Sequence, residues 1–280
     1  MADFLNIFKL LKDCVLPPFC TVCGKVNPSY LCEDCKSFIR ITGENICLKC
    51  GQPFPGLNSD GGPDGCSVGR SDSSSYGGPD SSSGSQGIDK KTASGRICSL
   101  CKNENFYFYK SRSFAFYEGT AAELIKKYKY RKYYFLKDIL AGFLKTAYKN
   151  YYSEEKIDFI ETVPDFIRQR EFNNFGEMQE QGLNHMQIIA ARLSVLLNTP
   201  YSGNIKKIKK TSRQQLLDRS DRQLNPAGAF KVINRMKSQG KNFLVIDDVW
   251  TTGSTLNEVS IALKNAGADR VYLLTIARGM

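Results

Sequence analysis

FLVIDDVWTTGST, residues 243–255, carries the clearest structural pattern in the chain. Its first four residues are apolar, which is typical of a strand buried in a parallel sheet. Two adjacent carboxylates, Asp247 and Asp248, follow at the expected carboxyl end of this strand, and a loop of Thr, Ser and Gly then opens a helix. Ligands of parallel α/β sheets bind beyond the carboxyl ends of the strands. The segment therefore predicts an α/β fold and the position of a ligand site.

The loop after the two carboxylates has the composition of an anion site. Backbone N–H groups and the helix dipole favour a negative group there, and Gly253 lets the backbone approach that group closely. Further hydrogen-bond donors are the hydroxyl groups of Thr251, Thr252, Ser254 and Thr255. Asp247 and Asp248 could bind vicinal sugar hydroxyls beside a phosphate, or help to hold Mg²⁺. An ordinary Asp/Thr turn is less expected, because two carboxylates at a buried strand end are costly without a use.

The rest of the carboxyl-terminal region alternates between strand and helix patterns. Predicted strands cover residues 113–117, 157–163, 243–249 and 271–277. Predicted helices cover residues 120–151, 180–197 and 254–266. Thr120 and Glu123 have the spacing of a capping box at the start of the first helix. This alternation is typical of a mainly parallel sheet flanked by helices.

Eight of the ten cysteines form four C-x-x-C pairs towards the start of the chain. The pairs are Cys20/Cys23, Cys32/Cys35, Cys47/Cys50 and Cys98/Cys101. Two such pairs can complete a tetrahedral shell of four thiolates around Zn²⁺, so the spacing predicts two structural zinc ions. The simplest pairing is sequential, with the first two pairs on one ion and the last two on the other. An interleaved, cross-braced pairing is the alternative.

Composition and charge narrow the class of protein. The apolar runs of this 280-residue chain are shorter than the roughly 20 residues of a membrane-spanning helix. The start of the sequence lacks the pattern of a secretory signal, so we expect a cytoplasmic protein with metal-bound cysteines rather than disulfides. The formal charge is +11, and two Zn²⁺ on eight thiolates would lower it to about +7. The remaining excess of positive charge favours an acidic partner.

A change of composition divides the cysteine-rich region. The stretch from Pro53 to Arg96 consists largely of Gly, Pro, Ser, Asp and other polar residues, which is typical of disorder. We therefore expect a double zinc ribbon in residues 1–105, with a disordered insertion at about 53–96. Residues 106–280 are expected to form the α/β domain.

Residues 126–137, KKYKYRKYYFLK, interleave cations with aromatic rings. Cations can follow a phosphate backbone while rings stack on unpaired bases, which suits single-stranded nucleic acid. The candidate contacts are Lys127, Tyr128, Lys129, Tyr130, Arg131 and Tyr133. A helix with tyrosines in the core and lysines in water has the same pattern, and the pattern alone favours that interpretation.

The segment at 243–255 resembles the phosphoribosyl-pyrophosphate (PRPP) loop of type I phosphoribosyltransferases. The resemblance implies that Asp247 and Asp248 bind the ribose hydroxyls and are the candidate catalytic residues. It further implies that residues 251–255 bind the 5′-phosphate and that Mg²⁺ accompanies PRPP. A Walker A loop and a dinucleotide-binding G-x-G-x-x-G motif are both missing from the sequence.

Nearly the whole chain resembles the ComF family. Its members join an amino-terminal double zinc ribbon to a type I phosphoribosyltransferase domain, and are associated with DNA uptake in naturally competent bacteria. The motifs that carry the resemblance are LPPFCTVCG (16–24), LCEDC (31–35), KYKYR (127–131) and QQLLDRSDRQLNPAGAF (214–230). The family's P-V-P and R-G-F-N-Q motifs differ here at Thr162, Gln181 and His185. His185 is more expected as a structural residue than as a general base.

Three functions are compatible with these observations. The resemblance implies a ComF-like phosphoribosyltransferase that binds PRPP and acts in DNA uptake, with the competence machinery and single-stranded DNA as partners. A non-catalytic DNA-binding competence factor with a vestigial or sensing PRPP pocket is the alternative, and the differences at Gln181 and His185 favour it somewhat. A nucleotide-salvage phosphoribosyltransferase is the third, and it would require turnover of PRPP with a free base.

Overall fold

The computed structural model describes residues 18–54, 96–165, 184–209 and 228–279. Most of the predicted insertion at about 53–96, Gln181, and the greater part of the motif at 214–230 lie outside these ranges. Within these ranges, no helix combines the length and apolar character needed to cross a lipid bilayer.

The described elements alternate along the chain as predicted for an α/β domain. The helices are α1 (Glu33–Ser37), α2 (Ser99–Asn103), α3 (Gly119–Arg131), α4 (Lys137–Tyr152), α5 (His185–Leu197), α6 (Arg235–Ser238) and α7 (Ser254–Asn265). The strands are β1 (Lys110–Phe116), β2 (Phe159–Thr162), β3 (Ile205–Lys207), β4 (Phe230–Val232), β5 (Phe243–Trp250) and β6 (Val271–Arg278). The prediction of strand, loop and helix at 243–266 agrees with β5 and α7 to within one residue.

A four-stranded sheet with the order β1-β6-β5-β2 forms the centre of the fold, and all its neighbouring strands are parallel. Helices α3, α4 and α5 pack on one face, where they meet Leu244 and Ile246 of β5. Helix α7 and the antiparallel pair β3–β4 pack on the other face, against Phe243 and Val245. Coverage of both faces explains why the central strands are almost continuously apolar.

The prediction of a single helix at residues 120–151 is wrong, because the structure has two helices in this region. Helix α3 ends where Lys132 adopts a left-handed conformation with φ 57°. A 3-10 turn, Tyr134–Leu136, then leads into α4. The break lets Phe135 pack against Tyr30 of the cysteine-rich region, with ring centroids 4.6 Å apart. This tertiary contact explains why helical periodicity alone missed the break.

The predicted capping box at the start of α3 is also wrong. The helix begins at Gly119, with Glu118 at the cap position. Thr120 is therefore already inside the helix, and Glu123 forms an ion pair with Lys127 one turn later, at 2.6 Å. The i,i+4 ion pair replaces the capping interaction that the spacing predicted.

The cysteine-rich region packs on both faces of the sheet. Cys20, Cys32 and Cys35 belong to the core that contains α3 and α4, whereas Cys47, Cys50 and Cys98 belong to the core that contains α7. The chain between them runs alongside β1, where the Thr42 N–H donates to the Phe114 carbonyl at 3.1 Å. The two groups of cysteines are thus built into the hydrophobic cores of the α/β domain.

Candidate functional site

The two adjacent carboxylates lie near the carboxyl end of β5. Asp248 is 7% exposed, and its Oδ2 atom accepts a hydrogen bond from Lys129 Nζ at the end of α3. The same oxygen lies 3.2 Å from His185 Nε2, at the start of α5. The amide N–H of Asp248 donates to Asp247 Oδ1 at 2.9 Å. Two helices and a central strand thus converge on one carboxylate.

The environment shifts the pKa values of the two carboxylates in opposite directions. Burial, and then the negative charge of Asp248, raise the pKa of Asp247 to about 7. Burial alone would also raise the pKa of Asp248, but the hydrogen bond from His185 and the positive charge of Lys129 outweigh it and lower that pKa. Asp248 is therefore held ionised, whereas Asp247 titrates near neutral pH.

The predicted anion loop connects β5 to α7. Gly253 has φ 79°, and a Cβ atom at this position would lie 2.3 Å from the ring of Trp250. Both the backbone conformation and the close approach of the ring therefore require glycine. The hydroxyls of Thr252 and Ser254 lie 2.7 Å apart, and Thr251 is exposed. Thr255 begins the first turn of α7 with Ser254 and is partly exposed.

The first turn of α7 also lies beside the carboxylates. The N-cap residue, Gly253, offers no side chain to α7, and the Ser254 N–H donates to Thr252 Oγ1 at 3.4 Å. The positive end of the helix dipole still favours a negative group here. Such a helix end, next to hydroxyls and carboxylates, can bind a phosphate and a polyol at the same time.

Three of the six nucleic-acid candidates contact the protein itself. Lys127 Nζ donates to the carbonyl oxygen of Thr21, which ties α3 to the first cysteine group. Tyr128 is 2% exposed, and its hydroxyl donates to the His185 carbonyl at 2.8 Å. Lys129 is bound to Asp248. These side chains support the carboxylate site in this structure.

The other three nucleic-acid candidates lie nearer the solvent. Tyr130 and Arg131 are exposed, and Tyr133 is partly exposed. The rings of Tyr133 and Phe135 are stacked, with centroids 5.3 Å apart.

A cavity of about 370 Å³ opens next to this part of α3. It is lined by Tyr117, Glu123, Lys126, Lys127, Tyr130 and Arg131. Burial chiefly raises the pKa of Tyr117, and the charges of Asp248 and Lys129 are close enough to influence it. The cavity is therefore a neighbour of the carboxylate site.

The eight paired cysteines form two tetrads in sequential order. The first tetrad consists of Cys20, Cys23, Cys32 and Cys35, and the second of Cys47, Cys50, Cys98 and Cys101. In each tetrad the sulfur atoms lie within 4.8 Å of one another. The structure thus has the sequential pairing and not the interleaved alternative.

The sulfur positions fit tetrahedral zinc. Zn–S bonds of about 2.3 Å place the sulfurs of a tetrahedron about 3.8 Å apart. The distance from Cys23 Sγ to Cys32 Sγ is 3.7 Å, and that from Cys50 Sγ to Cys98 Sγ is 3.6 Å. The amide of Cys98 donates to Cys47 Sγ at 3.3 Å, as expected for a thiolate held by backbone N–H groups. The two tetrads therefore support structural zinc.

Two features of the structure were missed by the sequence analysis. The pairing of Lys129 with Asp248 joins residues 119 positions apart, and the sequence pattern assigned Lys129 to nucleic-acid binding instead. Arg278 is an arginine at the end of the last apolar strand, and it is fully buried beside Trp250. A charged residue completing an apolar strand was the one available hint of a buried partner.

The three differences from the ComF motifs have different positions. Thr162 is buried at the end of β2, and its hydroxyl lies 3.1 Å from the Tyr201 hydroxyl. His185 contacts Asp248, as described above. Gln181 lies outside the described residues.

Two family profiles match separate parts of the chain. Residues 11–67 match the double zinc ribbon domain, and residues 179–280 match the phosphoribosyl transferase domain. The second match contains the carboxylates, the anion loop and α7. The predicted fold class, a type I phosphoribosyltransferase fold with an amino-terminal double zinc ribbon, is confirmed.

Curated relatives include competence and DNA-utilization proteins. The chain is 26% identical to Competence protein F of Haemophilus influenzae over 183 residues, which is 65% of this chain and 78% of the relative. It is 26% identical to Competence protein ComFC of Streptococcus pneumoniae over 163 residues, 58% of this chain and 65% of the relative. DNA utilization protein YhgH of Escherichia coli O157:H7 is 29% identical over 99 residues, 35% of this chain and 43% of the relative.

Solved structures with partial similarity to this chain include two enzymes. The allosteric regulatory enzyme of purine biosynthesis is 17% identical with a TM-score of 0.32, over 50% of this chain and 25% of that one. The glutamine PRPP amidotransferase of B. subtilis is 16% identical with a TM-score of 0.30, over 56% of this chain and 26% of that one.

The assignment to a family rests on the combination of the two matched domains. A double zinc ribbon precedes a phosphoribosyltransferase domain in the same chain, and the curated relatives include competence proteins F and FC. The two matched domains and these relatives together support assignment of the chain to the ComF family.

Proposed function

We propose that this protein binds PRPP together with Mg²⁺ at the carboxyl end of β5 and acts in DNA uptake. The observation that carries the proposal is that the Asp247–Asp248 pair near the end of β5 is followed directly by the hydroxyl-rich loop and the first turn of α7. The match to the phosphoribosyl transferase domain and the competence relatives support it.

Each part of the site has a distinct task in this proposal. Asp247 and Asp248 accept hydrogen bonds from the ribose hydroxyls. Residues 251–255 and the first N–H groups of α7 bind the 5′-phosphate. Bound Mg²⁺ would neutralise the charge of the pyrophosphate, and carboxylate oxygens are ligands that Mg²⁺ accepts.

Lys129 favours the ionised form of Asp248, which is the form that binding of the ribose hydroxyls needs. An ionised carboxylate is an acceptor only, so it binds a sugar hydroxyl without competing as a donor. Lys129 and His185 occupy one of its two oxygens, which leaves the other for ribose. If the phosphoribosyl group is transferred, positive charge develops on the sugar as pyrophosphate leaves, and a fixed negative carboxylate nearby stabilises that charge.

A second function, binding of single-stranded DNA, is favoured by the cavity beside α3. The cavity combines the rings of Tyr117 and Tyr130 with the cations Lys126 and Arg131. Rings can stack on unpaired bases while the cations contact phosphates. Its position next to Asp248 allows both ligands to bind in one protein, and contacts with the competence machinery would place it in DNA uptake.

Calorimetry with PRPP and Mg²⁺ tests the first proposal. The zinc-loaded protein should bind PRPP, and Asp247→Asn/Asp248→Asn should abolish binding while the protein stays folded. Asp269→Asn is the matched control, because Asp269 is an exposed carboxylate at the opposite end of the sheet from this site. Absence of PRPP binding to the zinc-loaded wild type would refute the proposal.

A further inference from the structure

Arg278 and Trp250 form a buried pair behind the anion loop. They are direct neighbours on β6 and β5, and each is 1% exposed. The guanidinium carbon of Arg278 lies 5.1 Å from the centroid of the Trp250 ring, within the range of a cation–π contact. A cation in this position is held by its partners, because burying a charge alone is costly.

The second cysteine tetrad and the residue Gln52, whose Oε1 accepts from Arg278 Nη2 at 3.3 Å, supply further partners of Arg278. Arg278 Nη1 donates to the carbonyl oxygen of Cys50 at 2.6 Å. The neighbouring residue, Gly51, has φ 72°, and a Cβ atom there would lie 2.9 Å from the Ser111 carbonyl oxygen and 3.4 Å from Arg278 Nη1. Glycine therefore lets the tetrad come close enough to bind the arginine.

The charge of the second tetrad complements Arg278. A tetrathiolate zinc site carries a net charge of about −2. Burial lowers the pKa of Arg278, and the negative charges of Cys50, Cys98 and Cys101 oppose that shift. The charge of the tetrad thus offsets part of the cost of burying the arginine.

Trp250 in turn supports the anion loop. Its ring fills the space beneath Gly253, which has no side chain to displace it. The edges of Phe106 and Phe108, which follow the last cysteine of the second tetrad, face the same ring with centroids 6.5 and 5.6 Å away. The N–H of Tyr107 donates to Asn257 Oδ1 in α7 at 2.8 Å. The second tetrad thus contacts the loop through Trp250 and the first turns of α7 through Tyr107.

We propose that the second zinc tetrad positions the phosphate-binding loop, and that Arg278 and Trp250 are the positioning residues. With the tetrad intact, Arg278 holds the Trp250 ring against Gly253, and the loop keeps the conformation that receives the phosphate. The proposal rests on the function proposed for the loop. The first tetrad packs on the opposite face of the sheet and does not take part.

The sequence provides a direct probe, because Trp250 is the single tryptophan of the chain. The fluorescence emission of Trp250 reports on its contacts with Arg278 and Gly253 in the absence of any ligand. Hydrogen exchange of residues 251–257 reports on the loop itself, also without ligand. Both measurements therefore test the positioning role separately from PRPP binding.

The decisive comparison is between the most exposed cysteine of each tetrad. Cys101→Ser alters the second tetrad and Cys23→Ser the first. Cys101→Ser should shift the Trp250 emission to longer wavelength, speed hydrogen exchange at 251–257, and weaken PRPP binding about tenfold or more, since small misplacements of binding groups are costly. Cys23→Ser should leave the Trp250 emission and the hydrogen exchange at 251–257 close to the wild type. Metal analysis should show about one zinc ion lost per chain in each variant.

Arg278→Gln keeps every cysteine and provides a second test if Cys101→Ser fails to fold. It should retain both zinc ions and still change the Trp250 emission and the exchange of the loop. Unchanged emission and exchange in Cys101→Ser and Arg278→Gln would overturn the positioning role, as would an equal effect of Cys23→Ser. The wild type could fail to bind PRPP while the variants still show the expected changes in emission and exchange. That result would refute the proposed ligand and leave the positioning of the loop supported.

Discussion

Lys129 of α3 forms an ion pair with Asp248 of β5. The Asp248 side chain is 9% exposed and that of Lys129 is 34% exposed, so solvent screens this pair less than a surface pair. The contact joins the basic helix to the carboxylate pair. One face of α3 thereby supports the proposed ribose site, and the next face lines the cavity beside it.

Replacing Lys129 should weaken PRPP binding. In Lys129→Met the pKa of Asp248 rises, because burial then acts with one fewer opposing charge. We expect affinity to fall about tenfold at pH 6 and less at pH 8, as measured by calorimetry at both values. Lys149→Met, at an exposed position on α4, is the control and should bind as the wild type does. An equal loss at both pH values would contradict the electrostatic role of Lys129.

Asp247→Asn should stabilise the protein above neutral pH. Since burial raises the pKa of Asp247 to about 7, the folded state favours its neutral form. That contribution to stability is fully present below the ordinary carboxyl pKa of about 4 and is lost as the pH rises from there through 7. The increase in the free energy of unfolding caused by Asp247→Asn should therefore be on the order of 2 kcal/mol larger at pH 8 than at pH 5.

Urea unfolding at the two pH values measures this difference. Asp269→Asn serves as the control, because Asp269 is exposed. If Asp247→Asn changed stability equally at pH 5 and pH 8, the proposed titration of Asp247 would be wrong.

Gly253→Ala should destabilise the protein more than Gly240→Ala does. Both Gly253 and Gly240 have positive φ, at 79° and 67°, but only at Gly253 would a Cβ atom meet the Trp250 ring. Gly240→Ala should cost about 1 kcal/mol from the backbone alone, and Gly253→Ala about 2 kcal/mol more from the collision. Urea unfolding of both variants measures the difference.

Trp250→Phe should relieve part of this collision, because phenylalanine lacks the outer ring that faces Gly253. A double-mutant cycle should give a coupling of about 1 kcal/mol between the two positions. A coupling near zero would show that the collision is avoided by movement elsewhere.

Tyr130→Ala should weaken binding of a single-stranded oligonucleotide if the cavity beside α3 is the DNA site. Loss of one stacked ring costs about 1–3 kcal/mol. Arg131→Ala should instead lower the salt dependence of binding by about one unit of the logarithmic slope. Fluorescence anisotropy over a range of salt concentrations measures both effects.

Tyr107→Ala is the matched control for Tyr130→Ala. The two tyrosines are similarly exposed, at 51% and 57%, but Tyr107 lies beside α7 on the other side of the sheet. Equal losses of oligonucleotide affinity in the two variants would indicate non-specific binding and exclude the cavity as the DNA site.

The parts of the fold that were predicted correctly depend on interactions local in sequence. Strand β5, the anion loop and α7 follow one another directly, so their pattern is continuous along the chain. The cysteine spacing likewise predicted two metal-binding groups. It left their pairing open, because the pairing depends on the packing of each tetrad against a different face of the sheet.

The features that the sequence could not predict depend on distant contacts. The break between α3 and α4 accompanies the packing of Phe135 on Tyr30. Lys129 meets Asp248, and Arg278 meets Cys50, across long separations in sequence. No periodic pattern encodes such pairs, since each requires the sheet to be assembled first.

The segment between the two tetrads also protects an edge of the sheet. Strand β1 is at one end of the order β1-β6-β5-β2, and Ile41 pairs with Ala115 along its outer side. An uncovered edge strand can pair with another molecule and start aggregation. A chain shortened to begin after the zinc ribbon would expose this edge and should self-associate, which light scattering would detect. We therefore expect the ribbon to keep the phosphoribosyltransferase domain from polymerising through its own backbone.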